Sequence, residues 1–169
     1  MAGDPSREVE DEGADNGLGR LEALYRDEYA GSVRLAQLLV GDRGRAEELA
    51  QDAFVRVHPH LARTDNPGGY LRTTLVNLCR DHQRREATAR RHPPSPPEPV
   101  PPPDLPATTS VVWRSLQALP DRQREAIVLR YWADLPTDEI ARLLDARPAT
   151  VRSLLHRGLA ALKEVLADD

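Results

Sequence analysis

An all-helical fold divided into two small units is what this sequence predicts, and three observations predict it. Aromatic residues make up only 4% of the chain, with a single Phe, so the cores must be built from Leu, Val, Ile and Ala, which suit helices better than sheets. Apolar residues recur at three- and four-residue intervals on either side of the chain's middle, the period of a helix face. Nine of the 15 prolines fall between His92 and Ala107, a run without backbone donors that favours extended polyproline geometry. That run, residues 93–109, reads as a semi-rigid linker holding a domain at 20–92 apart from one at 110–169.

Residues 1–19 are rich in Gly, Asp and Glu and nearly devoid of apolar side chains. Such a segment cannot offset the entropy of its own ordering, so a disordered acidic tail is expected. From Leu21 the helical period begins, with Leu21, Tyr25, Tyr29, Val33, Ala36 and Val40 as its apolar side. Gly41-Asp42-Arg43-Gly44 breaks it, and Asp42 is placed to cap a second helix whose stripe is Ala46, Leu49, Ala50, Ala53, Phe54 and Val57. Pro59 ends that helix and a loop runs from His58 to Asn66. Asn66-Pro67 has the cap-then-proline form that opens a third helix, extending to about Arg85. Leu71, Leu75, Leu78 and Cys79 face its core side, while Thr73, Asn77, Arg80 and Arg84 share a polar, mostly basic face.

In the second domain Val112, Leu116 and Leu119 mark a short helix ended by Pro120, and a further helix spans Arg122 to Trp132. Pro136 to Leu144 forms the next, with Thr137 as its cap and Asp138 and Glu139 suiting its positive end. After the break at Asp145-Ala146-Arg147, Pro148 opens a last helix to about Leu166. There Val151, Leu154, Leu155, Leu159 and Leu162 face inward, leaving Thr150, Arg152, Ser153, His156 and Arg157 outside. Two helices joined by a tight turn, the second with small and basic outward residues, describe a helix-turn-helix unit.

The formal charge of -4 argues against a nucleic-acid binder only on average, since phosphate contacts depend on where Lys and Arg sit. Six of the acids lie in residues 1–19, whereas residues 20–92 carry 13 Arg against 10 acids, concentrated at Arg80 to Arg85 and Arg90-Arg91-His92. DNA binding assisted by a larger partner fits this distribution. Cys79 has no partner for a disulfide and sits among Leu75, Val76 and Leu78, where it reads as a packing residue. The five histidines show no metal-ligand spacing, and no glycine-rich phosphate loop occurs, so neither a catalyst nor a metal or cofactor is expected. No apolar run approaches the roughly 20 residues of a membrane span, and residues 1–18 are acidic where a signal peptide is basic. A cytoplasmic protein without membrane insertion is expected, and so is the lack of a long C-terminal regulatory domain, since few residues follow the last helix.

The stretch Leu119-Pro120-Asp121-Arg122-Gln123-Arg124-Glu125-Ala126-Ile127-Val128-Leu129-Arg130-Tyr131, followed by Glu139-Ile140-Ala141 and Thr150 to Leu159, resembles the fourth conserved region of sigma factors. Response-regulator output domains share part of that signature. Gly41-Asp42-Arg43, Ala46 to Val57 and Asn66-Pro67-Gly68-Gly69-Tyr70-Leu71-Arg72-Thr73 to Asn77-Leu78 separate the two, because they resemble the second conserved region in the order of the extracytoplasmic-function (ECF) group.

The resemblance implies an ECF sigma factor of the sigma-70 family: a region 2 bundle at 20–92 and a region 4 helix-turn-helix at 110–169. Its implied partners are core RNA polymerase, through the largest-subunit coiled coil and the flap, promoter DNA and, optionally, an anti-sigma factor. By that resemblance Glu48, Gln51, Asp52 and Arg56 dock on polymerase. Asn66, Tyr70, Arg72, Asn77, Arg80 and Arg84 capture the opened downstream (-10) element, where many relatives carry Trp in place of Tyr70. Arg147, Thr150, Arg152, Ser153, His156 and Arg157 read the upstream (-35) element. Asp145 stands where the family often has Gly and Arg147 where it often has Ser, so a less stable turn is expected. The competing reading is a stand-alone helix-turn-helix regulator that binds duplex DNA without polymerase.

Overall fold

The computed structural model of the chain describes the backbone of residues 5–89 and 107–167. The expected linker lies outside these residues, apart from its last three, which already belong to a helix. Among the described residues the fold is all-α, with no strand.

Helices α1 (Pro5–Val40), α2 (Arg43–Val57) and α3 (Pro67–Ala89) form the first unit, with a 3-10 turn at His58–Arg63 between the last two. Residues 5–19, expected to be a disordered tail, instead continue α1. Once residues 20–40 are packed, each further residue adds a hydrogen bond without a new nucleus. Gly41 ends α1 at φ 84, a left-handed turn that costs Gly nothing. Its N–H donates to Gln37 O at 2.8 Å. Asp42 caps α2 as expected, its Oδ1 accepting from Arg45 N at 2.7 Å. Arg43 pairs with Glu47 at 3.0 Å and Arg45 with Glu48 along the same surface. Asn66 Oδ1 accepts from Gly69 N at 2.9 Å at the start of α3, which runs four residues beyond Arg85.

The apolar stripe of α2 is buried as expected, whereas α1 is rotated from the expectation. Leu24, Leu35, Ala36 and Leu39 are its buried apolar residues among those described, and Tyr25 is 45% exposed. Tyr25 stacks on Tyr29 at 4.4 Å and leans on Phe54 at 5.1 Å, which ties α1 to α2. Leu39, Leu61, Leu71 and Leu75 are almost wholly enclosed, each contributing about 1.5–3 kcal/mol of burial.

The second unit contains α4 (Ala107–Ala118), α5 (Asp121–Ile127), α6 (Thr137–Leu143) and α7 (Pro148–Ala167). Leu116 and Leu119 are buried as expected, but at the start of that stripe Trp113 is buried in place of Val112, which is 43% exposed. The helix expected to reach Trp132 as one piece changes to a π-helical turn at Val128–Trp132, closed by Ala133 N–H on Val128 O. Pro136, not Thr137, occupies the N-cap of α6, so no side chain caps that end. Proline's fixed φ sets the entry of the chain there. In α7 the inward residue after Leu155 is Gly158, and Leu159 is 40% exposed. A Cβ at Gly158 would stand 2.6 Å from Ile127 Cδ1, so a larger residue there would force the Ile127 side chain to move where α7 lies against α5.

The two units are not held apart. Their apolar cores are continuous, and side chains of each reach the backbone of the other. A linker's composition limits how far two domains can separate, but whether they touch is decided by the surfaces that meet.

Candidate polymerase and nucleic-acid interfaces

The stripe that buries Ala46, Leu49, Ala50, Ala53 and Val57 fixes the rotation of α2, so Glu48, Gln51, Asp52 and Arg56 emerge on its outer side, all exposed. Glu48, Gln51, Asp52 and Val55 lie at helical spacings of three, four and seven, one continuous stripe. Val55, overlooked in the sequence reading, is 71% exposed at the end of that stripe. Its signal was available, because an apolar residue off the buried stripe of an amphipathic helix has no partner within its own unit.

The second group gathers around the start and outer side of α3. Asn66 is exposed and caps the helix with its side chain. Tyr70 is 38% exposed and stands edge-on to His60 at 5.9 Å, so the 3-10 turn supplies an aromatic neighbour that sequence spacing did not reveal. Arg20 Nη2 donates to Thr64 O at 3.1 Å and fastens the loop to α1. Asn77 and Arg84 are exposed, with Arg84 3-apart from and paired to Asp81 at 2.9 Å. Arg72 is half-buried beside Glu28 and Trp132 in a cleft of about 180 Å³.

Arg80 departs furthest from a free basic face. It is half-buried, donates from Nη1 to Leu143 O at 2.9 Å and from Nη2 to Leu144 O at 3.2 Å, and has Nε 3.9 Å from Glu125 Oε2. Glu125 is buried, and burial pushes its carboxyl above the usual range against the opposing pull of Arg80, Arg122 and Arg124. Thr73 and Asn77 face Glu139, Arg142 and Leu143 across a cleft of about 310 Å³. Asn66, Tyr70, Asn77, Arg80 and Arg84 thus lie toward one side of α3, with α6 over part of it, whereas Arg72, two residues from Tyr70, points into the separate cleft beside Glu28 and Trp132.

In the helix-turn-helix, α6 ends in a Schellman motif. Ala146 N–H donates to Ala141 O at 2.9 Å and Asp145 N–H to Arg142 O at 3.3 Å, with Asp145 at φ 47. The position where Gly is frequent therefore does require a left-handed conformation, and Asp145 adopts it. Val151, Leu154 and Gly158 hold α7 against the core. Arg147, Thr150, Arg152, Ser153, His156 and Arg157 are all exposed along its outer side, the placement expected for groove contacts.

Comparison with known proteins agrees with this architecture in both halves. Residues 24–89 match the Sigma-70 region 2 family and residues 110–162 match Sigma-70, region 4. The chain is 31% identical to the RNA polymerase sigma-E factor of Streptomyces avermitilis over 159 residues, covering 86% of this chain and 87% of that protein. The sigma-E factor of Streptomyces coelicolor is 30% identical, covering 86% and 88% respectively. The fold is shared with the sigma factor RpoE in its complex with the anti-sigma factor NepR from Bartonella quintana, at a TM-score of 0.67 and 22% identity, over 94% of this chain and 98% of that one. With both conserved regions present in order on an all-helical frame, the chain belongs to the ECF group of the sigma-70 family, the factors that direct core RNA polymerase to promoters.

Proposed function

We propose that this sigma factor docks on core polymerase through the exposed stripe of α2, captures opened downstream DNA with the Asn66 to Arg84 side of α3, and reads the upstream element with α7. The observation that carries the docking assignment is Val55. An apolar side chain 71% exposed beside Gln51 and Asp52 is the composition of a protein contact, apolar at its centre and polar at its rim. Tyr70 offers a ring for base stacking, and Arg72, Arg80 and Arg84 offer phosphate contacts. Arg147, Thr150, Arg152, Ser153, His156 and Arg157 supply base-edge and phosphate contacts in the major groove. The division of labour follows the separate units 20–92 and 110–169. Such a protein acts by binding and catalyses no reaction, and its work on polymerase and promoter DNA places it in the cytoplasm. Among the described residues no helix is long and apolar enough to cross a membrane.

The test is run-off transcription from genomic fragments with purified core polymerase, comparing the natural chain with Asp52→Arg. Asp52 is exposed and off the buried stripe, so the variant is expected to fold normally, co-purify less with polymerase and give fewer transcripts. Undiminished co-purification would remove α2 as the docking element. Tight, specific duplex binding by the isolated chain, with no transcript in the presence of polymerase, would favour the stand-alone regulator instead.

A further inference from the structure

Both helices of the helix-turn-helix are seated on α5. α7 lies against it at Gly158, beside Ile127 and Gln123. α6 is only seven residues long, too short to hold a direction by its own hydrogen bonds, and no side chain caps its N-terminus. Its two ends are fastened by arginines of the stretch that precedes it. At the entry, Leu135 N–H donates to Leu129 O at 3.0 Å, and Leu135 O accepts from Arg130 Nη1 at 3.1 Å. At the exit, Leu144 O accepts from Arg122 Nη1 at 3.0 Å.

The exit is where the angle of the motif is set. The last carbonyls of a helix have no donor within it, and the Leu144 carbonyl shares a peptide plane with the N–H of Asp145, the residue at φ 47 from which the chain turns toward α7. On the N–H side that plane is held only by the long 3.3 Å bond to Arg142 O. On the carbonyl side it is held by a cation, and a charged donor makes the stronger bond. Leu144 O also accepts from Arg80 at 3.2 Å, but Arg80 belongs to the first unit, whereas Arg122 is carried by the helix on which α7 itself rests. Arg122 is half-buried, and the buried Glu125, one turn along α5, attracts its guanidinium. We propose that Arg122 is a positioning residue for upstream recognition: by clamping the Leu144–Asp145 peptide to α5 it sets the angle at which α7 enters the groove, without touching DNA itself. The proposal rests on the reading of α7 as the upstream DNA-binding helix.

Run-off transcription with the full chain and core polymerase tests it on two templates made from one promoter recovered from genomic fragments. One template keeps the upstream element, the other has it scrambled, and the downstream element is the same in both. The natural chain is expected to favour the intact template. Arg122→Ala should lower that preference about three- to tenfold, the scale of one lost charge-assisted hydrogen bond, while Arg122→Lys, which keeps a cationic donor, should retain most of it. Co-purification with polymerase should be unchanged in both. A variant that merely folds less well would lose transcripts from the two templates equally, because the ratio between them does not depend on how much chain is folded. Equal loss, an unaltered ratio, or Arg122→Lys as impaired as Arg122→Ala would each overturn the proposal. Salt dependence of promoter binding separates a clamp from a DNA contact: the slope should be the same for Arg122→Ala and the natural chain, and a slope shallower by about one phosphate contact would put Arg122 on DNA and overturn the clamp. A natural chain indifferent to the upstream element would instead remove the reading of α7, and the proposal with it.

Discussion

Replacement of Asp145 by Gly should stabilise the protein, and its size can be worked from the backbone. Asp145 holds φ 47 at the turn between α6 and α7, a conformation that costs a residue with a Cβ about 1–2 kcal/mol. Asp tolerates it better than most residues, so about 1 kcal/mol is the sensible figure for what Gly would relieve. Gly also loses more freedom on folding, which takes back about 0.5 kcal/mol. The net gain expected for Asp145→Gly is about 0.5 kcal/mol, whereas Asp145→Ala, which keeps the Cβ and loses the polar side chain that suits this region, should cost a similar amount. The Gly and Ala variants would then differ by about 1 kcal/mol, or about 2–4 °C in Tm for a chain of this length. Thermal unfolding followed by circular dichroism on the full chain measures it, and upstream DNA binding at low temperature should be unchanged because the Schellman hydrogen bonds of the turn involve only backbone atoms. A Gly variant less stable than the natural chain, or an Ala variant more stable, would refute the argument that this turn is strained.

Arg152→Ala should weaken upstream recognition by roughly 1–3 kcal/mol at one position if the side chain meets a base edge, and evenly across sequences with a shallower salt dependence if it holds a phosphate. Run-off assays on promoters randomised at both elements separate the two, and a comparable change in downstream preference would contradict the assignment of α7. Glu125 has a folded-state pKa raised chiefly by burial, so the stability linked to its protonated form is complete below the ordinary carboxyl pKa and is lost as pH rises through the raised value. Urea unfolding of Glu125→Gln against the natural chain should therefore show the variant gaining relative stability from pH 4 upward, and a gap that shrinks with pH would reverse the sign. Burial likewise pushes the Cys79 thiol up to about 12, so alkylation should be negligible in the native chain and complete after unfolding, as mass spectrometry can read.

Much of this protein was legible from residue order because its elements are set by local chemistry. The Asp42 and Asn66 caps, the breaks at Gly41 and Pro59, and the α2 stripe depend on neighbours within a few residues, and all of them stand where the sequence places them. The motifs of α2, α3, α5 and α7 carried the family for the same reason, since a docking or reading helix keeps its chemistry in its own sequence. Local patterns were weaker where a second surface intervened. α1 shifts its buried side because it is covered both by its own bundle and by the second unit, and Trp113 and Gly158 are buried because helices distant in sequence approach them.

What only the tertiary structure decided is the relation between the halves. Proline content gave the linker an extended preference, but it carries no information on which carbonyls at the end of one unit match the donors of the other. Arg80 illustrates the difference: its spacing with Thr73, Asn77 and Arg84 describes one basic face, whereas its hydrogen bonds to Leu143 and Leu144, 63 and 64 residues away, exist only once α6 has been brought over α3. Periodicity along a helix is a one-dimensional property that sequence can display. The capping of one helix by a residue from a distant helix depends on where two backbone ends meet in space, and that meeting is fixed by the burial of surfaces that no local pattern records.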